Sequence, residues 1–175
     1  MSFIVNRDFY AKASTVVVLS QICKDVLLKN IPECNVHSIG CSLWSEEALD
    51  KIEELSENRK YGFCIMKSDN PTKNFLKTVE FCKEKKIDPI HLRSDSHHKF
   101  LEMMSKYRTL VFLPTVLETY SRLCAEAKML GLSLLTNRVN IGFFSEDYSD
   151  LKGKPLIETI RQKQQEAYKF FEGCL

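Results

Sequence analysis

The chain has 175 residues, of which 44% are hydrophobic and 27% charged. These values are typical of one packed globular domain and exclude a disordered or collagen-like chain. Twenty-five Lys and Arg residues against 23 Asp and Glu give a formal charge of +2, which is too balanced for a nucleic-acid-binding surface, so no nucleic-acid partner is expected.

No apolar run approaches the roughly 20 residues that cross a bilayer, and residues 1–10 lack the long apolar stretch of a secretory signal. Seven cysteines occur without any C-x-x-C spacing, which argues against a zinc cage or a redox pair. Because most of them lie in apolar runs, we expect buried, reduced thiols. The sequence therefore predicts a cytoplasmic protein.

Short β-rich runs alternate with amphipathic segments. In chain order the pattern predicts a strand over 15–19, a helix over 21–29, a strand over 35–39, a helix that begins after Ser45, a strand over 61–66, a helix over 74–85, a strand over 89–93, a helix over 96–106, a strand over 109–113, a helix over 119–130, a strand over 132–136 and a terminal helix that begins at Pro155.

This alternation predicts an α/β fold, with a Rossmann-like parallel sheet covered by helices on both faces. Ligands of such sheets bind at the carboxyl ends of the strands. The segments to inspect therefore follow Met66, Arg93, Leu113 and Thr136. No G-x-G-x-x-G follows any strand, which counts against an unrelated dinucleotide-binding domain.

Two lysines follow the strand over 61–66. Lys67 and Lys73 are spaced K-x5-K, and the second stands beside the start of a helix. Two ammonium groups beside free N–H groups at a helix N-terminus form an anion site. The alternative is a pair of solvated lysines, and spacing alone leaves both open.

Two glutamates are associated with the helix over 119–130. Glu118 is predicted at or next to its N-cap, and Glu126 lies eight residues further, about 2.2 turns, so both carboxylates are expected on one side. Glu126 has apolar neighbours and needs hydrogen-bond donors, for which sugar hydroxyls are suitable. The alternative is an exposed Glu126 paired with Arg122 or Lys128.

These residues resemble a known family. Glu118-x7-Glu126, within P-T-V-L-E…E-A-K-M-L-G, is similar to the E-x7-E motif of GT-B glycosyltransferases of the family 4 type. The K-x5-K pair falls where that family has R-x5-K, and A-S-T-V-V-V-L-S over 13–20 is similar to the stretch that closes its acceptor half. The resemblance is firm over 61–137.

The resemblance implies a role for each matching position. Lys67 and Lys73 would hold the diphosphate of a UDP- or GDP-linked sugar, Glu118 would contact the donor sugar, and Glu126 would accept from the ribose. Glu118 and Lys73 are thereby implied as catalytic, and Arg122 as a further phosphate contact. Backbone N–H groups implied to face the ligand belong to Thr119, Tyr120 and Ser121.

The chain departs from the family pattern at several positions. Lys67 stands where arginine is usual, and Thr119 and Ser121 replace two glycines. The chain has no D-x-D motif, the metal-holding motif of the other major glycosyltransferase fold, so neither a metal nor another cofactor is expected. No residue stands out as a general base.

The resemblance predicts three segments: residues 1–60 as a remnant of the acceptor half or an edge extension of the sheet, 61–154 as the donor-binding core, and 155–175 as a C-terminal helix. It implies metal-independent, retaining transfer to a sugar, lipid-linked or protein acceptor held by another domain or subunit. The alternative is a catalytically incomplete nucleotide-binding or scaffolding module. The terminal helix is expected either to expose a docking face or to fold onto the same domain.

Other candidates carry weaker predictions. His97 and His98 are adjacent and point to different helix faces, so a solvated pair is favoured over a metal site. His37 and His91 lie in predicted strands and are expected to be packed or hydrogen-bonded within the domain. Trp44, the only tryptophan, is expected to cover the core or a domain junction.

Overall fold

Strands and helices alternate in the predicted order. The computed structural model of the protein describes residues 6–58 and 60–174. Within them the strands are β1 (Val16–Val18), β2 (Val36–Ser38), β3 (Tyr61–Met66), β4 (Pro89–Leu92), β5 (Tyr107–Phe112) and β6 (Ser133–Thr136). The helices are α1 (Arg7–Lys12), α2 (Gln21–Asn30), α3 (Glu46–Ser56), α4 (Phe75–Glu84), α5 (His97–Met104), α6 (Arg122–Met129) and α7 (Lys154–Glu172). Only α1, which buries no residue, has no counterpart in the sequence-based prediction.

The described strands form two separate parallel sheets. β1 pairs with β2, and the larger sheet has the order β4-β3-β5-β6. The predicted α/β class with parallel strands is confirmed. β1 and β2 do not continue the larger sheet, so the described residues before 61 add no strand to its edge, where an edge extension was one of the two roles predicted for residues 1–60.

Helices cover both faces of the larger sheet. Successive side chains of a strand point to opposite faces, and β3 accordingly directs Cys64 and Ile65 into different clusters. The cluster of Cys64 contains buried residues of α3, α5, α6 and α7. The cluster of Ile65 is completed by α4 through Phe75, Val79 and Cys82.

Helix α3 belongs to the main core although it precedes residue 61. Its Leu49, Ile52 and Leu55 are buried in the same cluster as Leu110 of β5 and Ile160 of α7. One hydrophobic core therefore extends across the predicted segment boundary at 60/61. An amphipathic pattern shows which face of a helix is buried, but not which sheet that face covers.

Helix α7 joins the two parts of the chain. Its buried face, which includes Ile157 and Ile160, packs in the main core, and Arg161 forms ion pairs with Glu46 and, at 2.6 Å, with Asp50 of α3. Near its end the Phe170 ring stacks on the imidazole of His37, the centroids being 3.7 Å apart. The helix therefore folds onto its own domain. No described helix is both long and apolar enough to span a bilayer.

All seven cysteines are free, and five are buried as predicted. Cys34 lies in a small cluster beside β1 and β2, Cys82 in the cluster under α4, and the others in the main core. Burial raises the pKa of Cys41 to about 11 and that of Cys64 and Cys124 to about 12. Cys23 is half-buried and Cys174 exposed.

Candidate functional site

A pocket of about 790 Å³ opens at the carboxyl ends of β3 and β4, beside the first turn of α6. This is the sheet edge at which parallel α/β folds bind ligands. Apolar, cationic and acidic side chains share its lining, the principal ones being Met66, Phe100, Leu123, Lys67, Arg93, His97, Arg122, Asp69, Asp95 and Glu126. Of the sequence-predicted site residues, Lys67, Arg122 and Glu126 therefore lie together.

The cations of the pocket differ in how strongly they are held. Arg93 pairs with Asp69 at 2.9 Å, and the guanidinium of Arg122 lies 5.0 Å from the centroid of the Trp44 ring. Lys67 is exposed and has no ion-pair partner among the residues described here. Lys67 is thus the cation most available to an anionic ligand.

Glu126 is only 3% exposed, although it carries a carboxylate. Its Oε1 accepts from the indole Nε1 of Trp44 at 2.9 Å and contacts Nε2 of His97 at 3.0 Å, with Nε of Arg122 at 3.5 Å. A buried carboxylate needs such donors. The alternative of an exposed Glu126 is therefore wrong in its exposure, although the contact with Arg122 is present. Lys128 instead donates to the backbone oxygen of Asp150.

Two residues of this cluster were not assigned to the site from sequence. Trp44 is buried, as predicted, but its hydrogen bond to Glu126 spans 82 positions of the chain and depends on how α3 packs against α6. Both predicted histidines are exposed to solvent, and each also contacts a carboxylate, His97 that of Glu126 and His98 that of Glu102 within α5. The pattern of adjacent histidines carried no information about either partner.

The protein's own hydrogen bond determines the titration of His97. Its bond to Glu126 raises the pKa of the imidazole above its ordinary value, and burial and the charge of Arg122 oppose that shift. The side chain is about half exposed, so solvent reaches the ring. The imidazolium therefore persists to a higher pH than in an isolated histidine.

Lys73 and Glu118, the two residues implied as catalytic, meet each other. Lys73 Nζ lies 2.7 Å from Oε1 and 2.8 Å from Oε2 of Glu118, and 5.9 Å from the centroid of the Phe112 ring. Neither residue lines the pocket that contains Lys67 and Glu126. The two lysines of the K-x5-K pair therefore have separate environments, while all four predicted residues remain at one end of the larger sheet.

Helix α6 begins three residues later than predicted. Arg122 is its first residue and Ser121 its N-cap. Glu118 precedes the helix, where its N–H donates to Asn140 and its carbonyl accepts from Gly142. The argument that both glutamates project from one helix face is therefore wrong, because loop contacts and not helical periodicity orient Glu118.

Residues 119–121 form a tight link between Glu118 and α6. The Tyr120 side chain is buried and its hydroxyl bonds to that of Tyr148 at 2.8 Å, so only its backbone is left for a ligand. The carbonyl of Thr119 accepts from Ser20 and Cys23. Ser121 has φ +66°, and its buried hydroxyl has no hydrogen-bond partner among the described residues.

Gly142 packs closely against this link and against Ser20. A Cβ at Gly142 would lie 2.1 Å from the carbonyl oxygen of Thr119 and 2.5 Å from the hydroxyl of Ser20. Only a glycine allows the backbone to approach so closely. The absence of a side chain at Gly142 therefore contributes to the position of the loop that contains Glu118.

Comparison with protein-family models, with curated proteins and with solved structures finds no match to this chain. The glycosyltransferase resemblance thus rests on the motifs alone, and the site geometry carries the functional argument.

Proposed function

We propose that the chain binds a nucleotide-sugar in the pocket beside α6, as the donor-binding part of a metal-independent, retaining glycosyltransferase of the GT-B, family-4-like type. The acceptor, a sugar, a lipid-linked sugar or a protein, is held by another domain or subunit. The proposal combines the motif resemblance with the pocket at the carboxyl ends of parallel strands. Its strongest single support is the hydrogen bonding of the buried Glu126 carboxylate, in which one oxygen has donors and the other has none among the described residues.

Glu126 presents one satisfied and one open oxygen. Trp44 and His97 occupy Oε1, whereas Oε2 has no donor among the described residues. A carboxylate oxygen in a pocket wall accepts strongly from hydroxyl groups. The two neighbouring hydroxyls of a ribose are donors of the right kind, which supports the role that the resemblance implies for this residue.

The phosphates have a matching environment at the start of α6. The first N–H groups of an eight-residue helix lack partners within the helix and carry partial positive charge. Arg122 and Lys67 add two full charges on the same pocket. A diphosphate next to the ribose is thus within the reach of backbone donors and of two cations.

Transfer breaks the bond from C1 of the sugar to the diphosphate oxygen and forms a bond from C1 to the acceptor oxygen, while the acceptor proton passes to the departing diphosphate. Negative charge develops on the diphosphate, and fixed cations stabilise it. In this proposal Lys73 exchanges one contact with Glu118 for a phosphate oxygen. Glu118 then accepts from hydroxyls of the donor sugar.

A second candidate is a nucleotide-binding module without turnover. It is favoured by the ion pair in which Lys73 binds both oxygens of Glu118, because the two residues implied as catalytic are then neutralised by each other. The two candidates share the ligand and differ in whether the sugar is transferred.

Calorimetric titration with UDP, GDP, UDP-glucose and GDP-mannose tests the proposal. We expect one of the two nucleotide series to bind, and Glu126→Gln to weaken it about ten- to a hundredfold, since a hydrogen bond to a charged group contributes roughly 1.5–3 kcal/mol. Trp44 fluorescence gives a second readout, because the only indole of the chain is hydrogen-bonded to Glu126.

Glu102→Gln is the matched control, since Glu102 pairs with His98 and does not line the pocket. It should bind like the unmodified chain. If no nucleotide binds, the proposal fails in both forms. Binding without transfer or hydrolysis, measured with an acceptor-binding partner present, leaves only the second candidate.

A further inference from the structure

His97 connects the buried carboxylate of the pocket to solvent. It is the first residue of α5, its Nε2 lies 3.0 Å from Oε1 of Glu126, and its ring forms part of the pocket wall. About half of its side chain is exposed, against 4% of that of Glu126. A change in the protonation of His97 therefore occurs next to any ligand in the pocket.

Trp44 and His97 together orient Glu126. Both approach the same carboxylate oxygen, from the loop before α3 and from α5, and the guanidinium of Arg122 covers the indole ring. With Oε1 held by two donors, rotation of the carboxylate breaks at least one hydrogen bond. Oε2 is thereby kept on the side of Glu126 that has no donor among the described residues.

We propose that His97 is a positioning and specificity-determining residue of this pocket: with Trp44 it holds Glu126 so that Oε2 accepts from the ligand, and its protonated ring favours ligands that carry negative charge. The inference rests on the proposed function and goes beyond it by making nucleotide-sugar affinity depend on one imidazole. The motif resemblance assigns no role to this position.

The direction of the pH effect follows from linkage. The hydrogen bond to Glu126 raises the pKa of His97, and a bound anion raises it further, so affinity is highest when the ring is protonated and falls as pH rises through that pKa. Above it, a neutral ring that carries its proton on Nε2 still donates to Glu126. The charge is then lost while the position of the carboxylate is kept.

Charged groups of several elements surround His97. They come from the loops after β3 and β4, from α3, α5 and α6. They are Lys67, Asp69, Arg93, Asp95, Glu47, Asp50, Lys51, Glu54, His98, Glu102, Arg122 and Glu126. Because His98 is the other imidazole among them, His98→Gln serves as the matched control for His97→Gln.

The test measures the affinity for UDP-glucose and GDP-mannose from pH 6 to 8.5. Both phosphates of these probes are esterified, so the ligand keeps its charge over the range. For the unmodified chain and His98→Gln we expect a three- to tenfold loss of affinity with rising pH, about the effect of one partly screened charge. His97→Gln, which can donate but not titrate, should show a flat profile at the high-pH value.

His97→Ala separates position from charge, because it removes the donor as well. We expect weaker binding than for His97→Gln at every pH. Equal affinities of His97→Ala and His97→Gln, or a flat profile for the unmodified chain, would overturn the inference while leaving the proposed function intact.

Trp44 fluorescence tests the same contact without ligand. Because the indole and the imidazole share one oxygen of Glu126, emission should titrate with His97 in the free chain and lose that transition in His97→Gln. A transition that persists in His97→Gln contradicts the positioning role. Absence of any nucleotide-sugar binding, with the fluorescence transition present, would instead overturn the proposed function.

Discussion

Ser121 has an unusual conformation for a residue that begins a helix. Its φ of +66° lies in the left-handed region, its side chain forms no N-cap hydrogen bond, and its hydroxyl is buried without a partner among the described residues. A side chain in this conformation costs roughly 1–2 kcal/mol, and an unpaired buried hydroxyl adds to that cost. Ser121 therefore lowers stability through both its backbone and its side chain.

Replacing this serine should stabilise the protein. We expect Ser121→Gly to raise the free energy of unfolding by about 1 kcal/mol, since glycine adopts positive φ without strain and removes the hydroxyl, while its flexible unfolded state offsets part of the gain. Urea denaturation followed by circular dichroism measures the change.

Ser121→Ala is the companion variant, since it removes only the hydroxyl and keeps the strained Cβ. Its gain should be smaller than that of Ser121→Gly. A loss of stability in Ser121→Gly would show that the hydroxyl stabilises the loop in the folded protein.

At the scale of residues, the sequence predicted some neighbours in the site but not the hydrogen-bond partners of Glu126. It placed Lys73 and Glu118 at one sheet edge, where they meet, and it identified Ser121 as a departure from a glycine position. It did not pair Glu126 with Trp44 or His97. Those contacts join three different elements. The local periodicity of a sequence does not show how elements that are distant in the chain pack against each other.

At the scale of elements, backbone hydrogen bonds hold the loop before α6 to the turn at 142–145. The N–H of Gly142 donates to Glu118, that of Phe143 donates to Tyr120, and Ser20 at the start of α2 donates to Thr119. The acceptors of these bonds are the carbonyl oxygens of residues 118–120, which would accept helical hydrogen bonds if α6 began at residue 119. The predicted start at residue 119 was wrong for this reason, because the competing partners are distant in sequence.

A side chain at Gly142 should separate these elements. We expect Gly142→Ala to lower the free energy of unfolding by about 2 kcal/mol or more, because the added methyl group overlaps the Thr119 carbonyl and overpacking in a fixed core is costly. Thermal and urea denaturation measure the loss, and nucleotide-sugar affinity should fall as Glu118 moves.

Gly173→Ala controls for the loss of a glycine as such. A Cβ there lies 3.6 Å from its nearest neighbours, an ordinary contact, and the change should remain within about 0.5 kcal/mol. Equal effects at the two glycines would contradict the close approach of the loops as the cause.

At the scale of the molecule, the sequence predicted six strands, their parallel pairing and the covering of both sheet faces. It could not divide the strands between two sheets, because β1 and β2 have the same apolar patterns as the others and pairing is set by long-range packing. His37 of the small sheet instead stacks on Phe170 of α7. Ser20 and Cys23, at the start of α2 between the two strands of that sheet, donate to the carbonyl of Thr119.

Deletion variants should reveal where the folding unit begins. A chain of residues 61–175 loses the three buried side chains of α3 and should fail to unfold cooperatively, because each such loss alone costs roughly 2–5 kcal/mol against a total of 5–15 kcal/mol. A chain of residues 41–175 keeps α3 and should retain a cooperative, though weaker, transition.

Far-ultraviolet circular dichroism during heating, with dye binding to exposed apolar surface, distinguishes these states. Cooperative unfolding of residues 61–175 would support the sequence-based boundary at 60/61. Loss of the transition in residues 41–175 would show instead that the small sheet is indispensable.

The seven free thiols have a practical consequence. Each hydrophobic cluster contains at least one buried cysteine, Cys34 beside the small sheet, Cys82 under α4 and three in the main core. A protonated, enclosed thiol is inert to alkylating reagents until its surroundings open. Mass spectrometry after a brief pulse of iodoacetamide can therefore measure when each hydrophobic cluster opens. One sample reports on all three clusters, and no cysteine has to be introduced.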